Sequence, residues 1–591
     1  MRSDRLPGPL RLGRDRWMQG TARSVIMAAM ASLSHQADFA AAERAYLEGR
    51  LQDARARLLT LERAAPPHPA IHRLRGLVES GLGDEEAALA SYERALALAP
   101  DFRDAALNRA ISLYRVRSQR EGLAALRLLI SRNPADGALW NVLGYLELDI
   151  RDVSAAAAAF DQALSLRPDD PMALKGRASV ARDRGESDVL DRYAAARAAL
   201  PQDPQLILEQ AQAKIAEGDD DAIDAYAQIL ERMPEWTEGQ IELARMKLET
   251  RQDEGFADHI HLLLRREPAR PELWRQYIRF LSDCARFEAA AEAACEARAV
   301  CADDDEFALL EAVHAGRAGD VARASALFAA IPPDVPGRRL HENAHLVRQG
   351  RLDLAKTSIE AALVEDPSDI GSWALAELVY RKLGDERSAW LSCQPGLVST
   401  SDLPLDPGRF EAVKTVLLRL HRSAVQMVGQ SVRAGTQTRG FLFDRSESEL
   451  VELRQALEAA LADYRAGLPA ADDRHPLLRH RNAPLAIQGN WSIRLAGSGH
   501  HVSHIHPQGL ISSACYFIVP DRAASSLEGR LEIGRPSMDL MLDLEPLHVI
   551  APRVGQLVLF PSYFYHGTTP FAVGERLTVA FDVNRDLTRP G

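Results

Sequence analysis

Four of the chain's 17 histidines, His500, His501, His504 and His506, fall within seven residues. Neutral imidazole is a common side-chain ligand for iron, zinc, copper and nickel, so a cluster this dense points to metal chemistry. In an extended strand His504 and His506 share one face, with Ile505 on the other. Sixty residues on, the apolar run Val558–Phe560 leads through Pro561 and Ser562 to Tyr563-Phe564-Tyr565-His566, which delivers a third imidazole at the end of a buried strand. Ten residues later Arg576 opens Arg-Leu-Thr-Val-Ala-Phe-Asp-Val. Alternation puts Leu577, Val579, Phe581 and Val583 on an apolar face, and Arg576, Thr578, Ala580 and Asp582 on the other. An arginine beside a threonine on an inward polar face can grip a carboxylate, through a bidentate guanidinium pair and a further hydroxyl donor. A surface ion pair at a strand end is the plainer use of the same arginine. His500 and His501 follow Ala-Gly-Ser-Gly and are expected to border a loop; His548 reads as structural or exposed, and Cys515 as a small buried hydrophobe.

Other chemistries lack their signatures. The chain has no glycine-rich phosphate loop, no Gly-x-Ser-x-Gly elbow and no Cys-x-x-Cys pair, which removes the case for nucleotide, serine-hydrolase or dithiol chemistry.

The elements that must carry these residues begin after Pro469. There, short runs such as Trp491–Leu495, Leu510–Val519, Leu527–Ile533, Gln556–Phe560 and Arg576–Val583 are separated by Gly, Pro and Asp. Many short strands with this punctuation predict a β-sandwich or a double-stranded barrel of the jelly-roll or cupin-like kind. Upstream, Ser399–Pro407 reads as a loop, Arg409–Val428 as helical, Gln430–Thr438 as polar and turn-like, and Glu447–Ala466 as a helix with Leu450, Leu453, Leu457 and Leu461 on one face.

Taken in order, Gly489–Leu495 (GNWSIRL), His504–Gly509 (HIHPQG), Gly555–Pro570 (GQLVLFPSYFYHGTTP) and Arg576–Asn584 (RLTVAFDVN) resemble the iron(II)/2-oxoglutarate-dependent oxygenases often joined to tetratricopeptide repeats, over about residues 409–586. Gln430–Thr438 (QSVRAGTQT) resembles a segment that commonly precedes that domain. The resemblance implies a double-stranded β-helix that uses Fe(II), 2-oxoglutarate and O2. It implies His504 and His566 as iron ligands, and Arg576 with Thr578 as the grip on the distal carboxylate of 2-oxoglutarate. Trp491, Arg494, Gln437 and Ser513 would line the pocket. One departure stands out: the usual triad is His-x-Asp/Glu with a distal His, yet His506 occupies the carboxylate position. Asp521, Glu528 and Asp539 lie too far along the chain to replace it in the same strand. Either His506 is the third ligand or water takes its place, and a three-histidine set also suits hydrolytic zinc.

The first two thirds of the chain carry a different signal. Prolines recur at Pro66, Pro100, Pro134, Pro168, Pro201, Pro234 and Pro268, at steps of 33 or 34, and resume at Pro333 and Pro367 with Ala302 in the skipped slot. Six residues after three of them stand Trp140, Trp274 and Trp373. Small residues (Ala88, Gly122, Ala156, Ala222, Ala355) lie twelve before successive prolines, and large ones (Tyr92, Leu126, Phe160, Tyr193, Tyr226) eight before. This period resembles the tetratricopeptide repeat: two helices per unit, a small residue for close approach, a large one filling the gap, and proline ending the second helix. Such arrays curve, and the resemblance implies a protein or peptide partner on the concave face.

Composition bounds the rest. The 591 residues carry 71 Lys+Arg against 83 Asp+Glu, a net charge of -12 that disfavours nucleic acid and anionic membranes as partners. No apolar stretch is long enough to span a bilayer. Five scattered cysteines, Cys284, Cys295, Cys301, Cys393 and Cys515, suit reduced thiols in the cytoplasm. The Arg-rich start and the apolar run Ser24–Leu33 loosely resemble a signal peptide, but read more plainly as a disordered leader or an upstream start. The expected layout is a leader at 1–34, an all-α solenoid at 35–400, a helical linker and lead-in at 401–475, and a β-helix oxygenase domain at 476–588. The expected activity is hydroxylation of a protein or peptide; the competing expectation is a non-catalytic scaffold with a degenerate cupin-like domain.

Overall fold

The computed structural model describes residues 33–219, 221–251, 255–302, 304–421, 431–520 and 526–586. It divides into two compact units, the first ending at Pro201 and the second beginning at Gln202. Of the expected leader, only Leu33 and Ser34 fall among the described residues, where they open the first helix.

The described part of the first unit is wholly helical, running in short pairs from Leu33–Leu47 to Val189–Ala199. The proline period is visible as helix ends: Pro66, Pro100, Pro134 and Pro168 each stand two residues past a helix, after Ala64, Leu98, Arg132 and Leu166. Proline cannot donate the next backbone hydrogen bond, and it disfavours a helical conformation in the residue before it. The helices that follow are started by side-chain caps; Asp136 accepts from the Ala138 N–H, and Asp170 from Met172 and Ala173. Small-to-large packing joins successive helices, within a pair and from one pair to the next. A Cβ added at Gly144 would lie 2.6 Å from Phe160, and one at Gly176 2.3 Å from it. Trp140 owes its six-residue spacing to a hydrogen bond, its Nε1 donating to the Pro134 carbonyl at 2.9 Å.

The second unit opens with further helices, from Pro204–Ala216 to Arg387–Ser392, built with the same devices. Trp274 and Trp373 donate to the carbonyls of Pro268 and Pro367 at 2.8 and 3.0 Å. The all-α repeat array expected from the period is therefore present, and antiparallel sheets follow it.

Among the described residues, nine strands make two sheets: β1 (Ser399–Asp402), β2 (Val432–Gln437), β3 (Leu485–His501), β4 (Ile511–Ile518), β5 (Leu531–Ile533), β6 (His548–Ile550), β7 (Gln556–Pro561), β8 (His566–Thr568) and β9 (Arg576–Arg585). The larger sheet has the order β1-β7-β4-β9-β3-β2 and the smaller β6-β5-β8, with every pairing antiparallel. Two readings of the sequence are corrected here. Ser399–Asp402, expected as loop, pairs with β7. Val432–Gln437, expected as a turn, is an edge strand against β3. Both are polar segments whose extended form is imposed by a neighbouring strand rather than by their own side chains. Gln430 itself lies outside the described residues.

One face of the larger sheet is buried against helices. Leu577, Val579, Phe581 and Val583 of β9 share a core with Val413 and Leu417 of helix Pro407–Leu420, and with Leu450, Leu453, Leu457 and Leu461 of helix Ser448–Gly467. That core continues into the repeats through Trp373, Leu375, Leu378 and Val379 of helix Ile370–Leu383. Burying one face in this way leaves the other, carrying Arg576, Thr578 and Asp582, for chemistry.

Candidate metal centre

Register decides which side chains meet on the open face. Trp491, Ile493 and Leu495 of β3 stand opposite Ala580, Thr578 and Arg576 of β9, and Ser512 and Tyr516 of β4 stand opposite Asp582 and Thr578. His566 opens β8 in the smaller sheet, and His504 makes a single antiparallel bridge to it, each backbone N–H donating to the other's carbonyl. The expected strand through His504 and His506 does not form. After the one bridge, Pro507 and Gly509 turn the chain, closed by the Gly509 N–H on the His506 carbonyl at 3.0 Å. The two imidazoles still converge.

His504, His506 and His566 bring one ring nitrogen each within 4.8 Å of the others, a group that could hold a metal ion. His504 Nε2 and His506 Nε2 are 3.1 Å apart. Each Nδ1 has its own acceptor: the Val502 carbonyl at 2.9 Å for His504, Asp582 Oδ2 at 2.7 Å for His506, and the Phe564 carbonyl at 3.0 Å for His566. A ring that donates from Nδ1 keeps its lone pair on Nε2. Burial, reinforced by the charge His506 would carry, lowers the His504 pKa to about 3, and burial with the neighbouring imidazoles holds His566 well below the ordinary histidine value. Two imidazole nitrogens at 3.1 Å either share a proton or flank a cation, and nitrogens bound at right angles to a metal, with bonds of about 2.1 Å, are about 3 Å apart. The donor set therefore fits a divalent first-row metal. Phe560 packs edge-on to His566 at 4.7 Å, and Trp491 stacks on His506 at 5.8 Å with 10° between the planes.

Arg576 is 1% exposed. It donates to the Gly529 carbonyl, and its guanidinium carbon lies 5.7 and 5.8 Å from the ring centres of Phe571 and Tyr516. Gly529 has φ +64 and a Cβ there would stand 3.0 Å from the guanidinium, so glycine satisfies both the backbone and the close approach. Thr578 is buried two residues along on the same face. Gln437 of β2 pairs with Ile493 and is also buried on this side.

Two expected pocket residues point elsewhere. Arg494 faces away from the imidazoles and pairs with Glu575 at 2.6 Å, because it lies an odd number of residues from Trp491 in an alternating strand. Ser513 lies on the helix side, where its hydroxyl donates to the Phe581 carbonyl and accepts the Phe581 N–H, both at 2.8 Å. Its neighbour Ser512 is the one on the open face. Asp539 is engaged by Arg317 and Arg348. Asp521 lies outside the described residues.

Two residues given no role on sequence grounds belong to the site. His501, read as a loop-border residue, ends β3; its ring stacks 6.2 Å from His504, and burial, with the charges of His504 and Arg576, pushes its pKa well down. Asp582 reaches His506. Strand alternation had already put it on the face of Arg576, but pairing it with His506 needed the register between β9 and the 504–509 turn.

Comparison with known proteins agrees with this layout. Residues 489–582 match the family described as "Putative 2OG-Fe(II) oxygenase", and residues 39–101, 107–171 and 141–207 match the tetratricopeptide repeat family. No curated protein matches the chain. Similar solved structures include a thermophilic tetratricopeptide protein of Thermus thermophilus (22% identity, 30% of this chain and 97% of that one, TM-score 0.26). Another is a tetratricopeptide repeat protein of Parabacteroides merdae (17%, 47% and 98%, TM-score 0.31), and a third is pilF of Pseudomonas aeruginosa (18%, 34% and 91%, TM-score 0.31). The chain thus joins tetratricopeptide repeats to a domain that matches the 2OG-Fe(II) oxygenase family.

Proposed function

We propose that the chain is an iron(II)/2-oxoglutarate-dependent dioxygenase that hydroxylates a protein or peptide recruited by its tetratricopeptide repeats. The observation that carries this reading is the convergence of three imidazoles on the sheet face that also buries Arg576. His504, His506 and His566 hold the metal through Nε2, and Arg576 with Thr578 holds the distal carboxylate of 2-oxoglutarate. Iron(II), 2-oxoglutarate and O2 together supply oxidation of a C–H bond to an alcohol, with 2-oxoglutarate converted to succinate and CO2.

The chain's own residues prepare this chemistry. Burial keeps His504 and His566 unprotonated near neutral pH, so their lone pairs are available. Gly529, Tyr516 and Phe571 fix a guanidinium where little water competes, which strengthens a charge-assisted bond to a carboxylate. Trp491 and Phe560 cover His506 and His566 and keep solvent from them. We read the two antiparallel sheets as the double-stranded β-helix expected at 476–588, extended by β1 and β2 from upstream, and the helices from 35 to 400 as the recruiting surface. None of the five cysteines, all among the described residues, is in a disulfide, which accords with a reducing cytoplasm. Among the described residues no helix is long and apolar enough to cross a membrane.

Succinate release from 2-oxoglutarate tests the reading. Purified chain with Fe(II), O2 and ascorbate, which supplies the two electrons a substrate would otherwise give, is expected to release succinate even without a prime substrate. Arg576→Ala is expected to raise the half-saturating 2-oxoglutarate concentration about 10- to 100-fold, the loss of one charge-assisted contact, with iron content unchanged. An unaltered 2-oxoglutarate requirement contradicts the carboxylate assignment.

A further inference from the structure

His506 stands where a carboxylate ligand is usual, and the structure supplies a carboxylate one hydrogen bond away. We propose that Asp582 is a positioning residue: it holds His506 so that the Asp582–His506 pair serves as the charged member of the metal-binding group. The inference rests on the metal reading above. Its observation is the 2.7 Å contact between His506 Nδ1 and Asp582 Oδ2. Among the described residues, the Nδ1 atoms of His504 and His566 face backbone carbonyls, and the charged partner within the triad belongs to His506.

Asp582 is itself held in place. Ser512 Oγ donates to its other oxygen at 3.2 Å, and Ser512 in turn meets Ser562 Oγ at 2.9 Å. Gly509 makes room for this chain of contacts, since a Cβ there would stand 2.8 Å from Ser562 Oγ. Trp491 stacks flat on His506, which stops the ring from rotating away from the carboxylate. An acceptor-only carboxylate fixes the proton on Nδ1, leaves the lone pair on Nε2, and raises the basicity of that nitrogen. Three neutral imidazoles alone bring no negative charge to a divalent ion, whereas a carboxylate–imidazole pair brings part of one.

Cobalt(II) binding to the full chain, read by affinity and by visible absorption, tests the assignment. Asp582→Asn keeps the shape but removes the charge. It is expected to weaken cobalt(II) about 10- to 100-fold and to change the absorption spectrum, while metal-free thermal unfolding stays close to wild type. In a His506→Asp background the carboxylate enters directly, so adding Asp582→Asn is expected to change affinity by less than about 3-fold, a non-additive pair. Wild-type affinity and spectrum in Asp582→Asn, alongside loss of cobalt in His566→Ala, overturn this inference and leave the metal site standing. Absence of cobalt binding in wild type overturns both. A measurement without any variant is available: in the zinc-loaded wild type, histidine nitrogen resonances are expected to show His506 protonated at Nδ1 and ligated at Nε2, and the reverse pattern overturns the proposal.

Discussion

At the residue scale, each of the three imidazoles is fixed by an acceptor at Nδ1, and this common solution is what turns a cluster into a directed donor set. Arg576 is treated differently: it is buried whole, with Gly529, Tyr516 and Phe571 around it. Thr578 is expected to be the lesser partner of that arginine. Thr578→Val preserves size and removes a hydroxyl, so the half-saturating 2-oxoglutarate concentration in succinate release should rise about 3- to 10-fold, less than for Arg576→Ala. A second expectation concerns stability. His421, on the helix side of the sheet, is hydrogen-bonded to Thr436 and Ser492 at 2.8 and 2.9 Å, and burial lowers its pKa from 6.5 to about 4. As pH falls below 6.5 the unfolded chain takes up the proton first, so His421 removes stability between pH 6.5 and about 4, by at most about 3 kcal/mol. Glu377, raised to about 7 by burial, acts in the opposite sense, so the comparison must be between wild type and a variant. On acidification from pH 6.5 to about 4, urea unfolding of His421→Gln should show a smaller loss of stability than wild type; identical pH profiles contradict the assignment.

At the element scale, the sequence announces what has a period and conceals what borrows its form. The prolines mark helix ends because proline stops a helix anywhere, and β9 is legible because its apolar face alternates cleanly over eight residues. The three candidate metal-binding imidazoles are legible as residue types. Their local backbone is not, since a single bridge and a Pro-containing turn bring His504 and His506 together without a strand. Strands β1, β2, β6 and β8 are short or polar, and they become strands only through their neighbours. Arg494 and Ser513 were misplaced by one step of strand parity, a slip that reverses a side chain's face. Within the repeats, packing makes a sharp expectation. Phe160 is fully buried and both Gly144 and Gly176 abut it. Phe160→Ala should cost the first unit about 3–5 kcal/mol by urea unfolding, and Gly176→Ala, which drives a methyl into that ring, about 1–3 kcal/mol.

At the scale of the whole molecule, the last repeats and the sheets of the second unit share one core. They are also tied by polar contacts: Arg348 Nε donates to the Asp539 carbonyl at 2.7 Å, Arg381 to the Gly534 carbonyl at 2.8 Å and Lys382 to the Asp543 carbonyl at 2.8 Å. Gly534 in turn donates its N–H to the carbonyl of Tyr565, next to His566. A chain begun at residue 404 would lose β1, the edge strand on β7, and the helix Ile370–Leu383 with its buried Trp373, Leu375 and Leu378. Such a fragment is expected to unfold at lower urea than the same region in the full chain, or to aggregate through the uncovered apolar face. Equal stability contradicts a shared core. The segment that matches the family model is 489–582, but the core it shares begins well upstream.

Whether the three imidazoles form a metal centre is decided by metal stoichiometry after anaerobic loading with Fe(II). The expected result is one iron per wild-type chain, with iron lost from both His504→Ala and His566→Ala while their folds are retained. Equal iron content in wild type and both variants contradicts a three-imidazole metal centre.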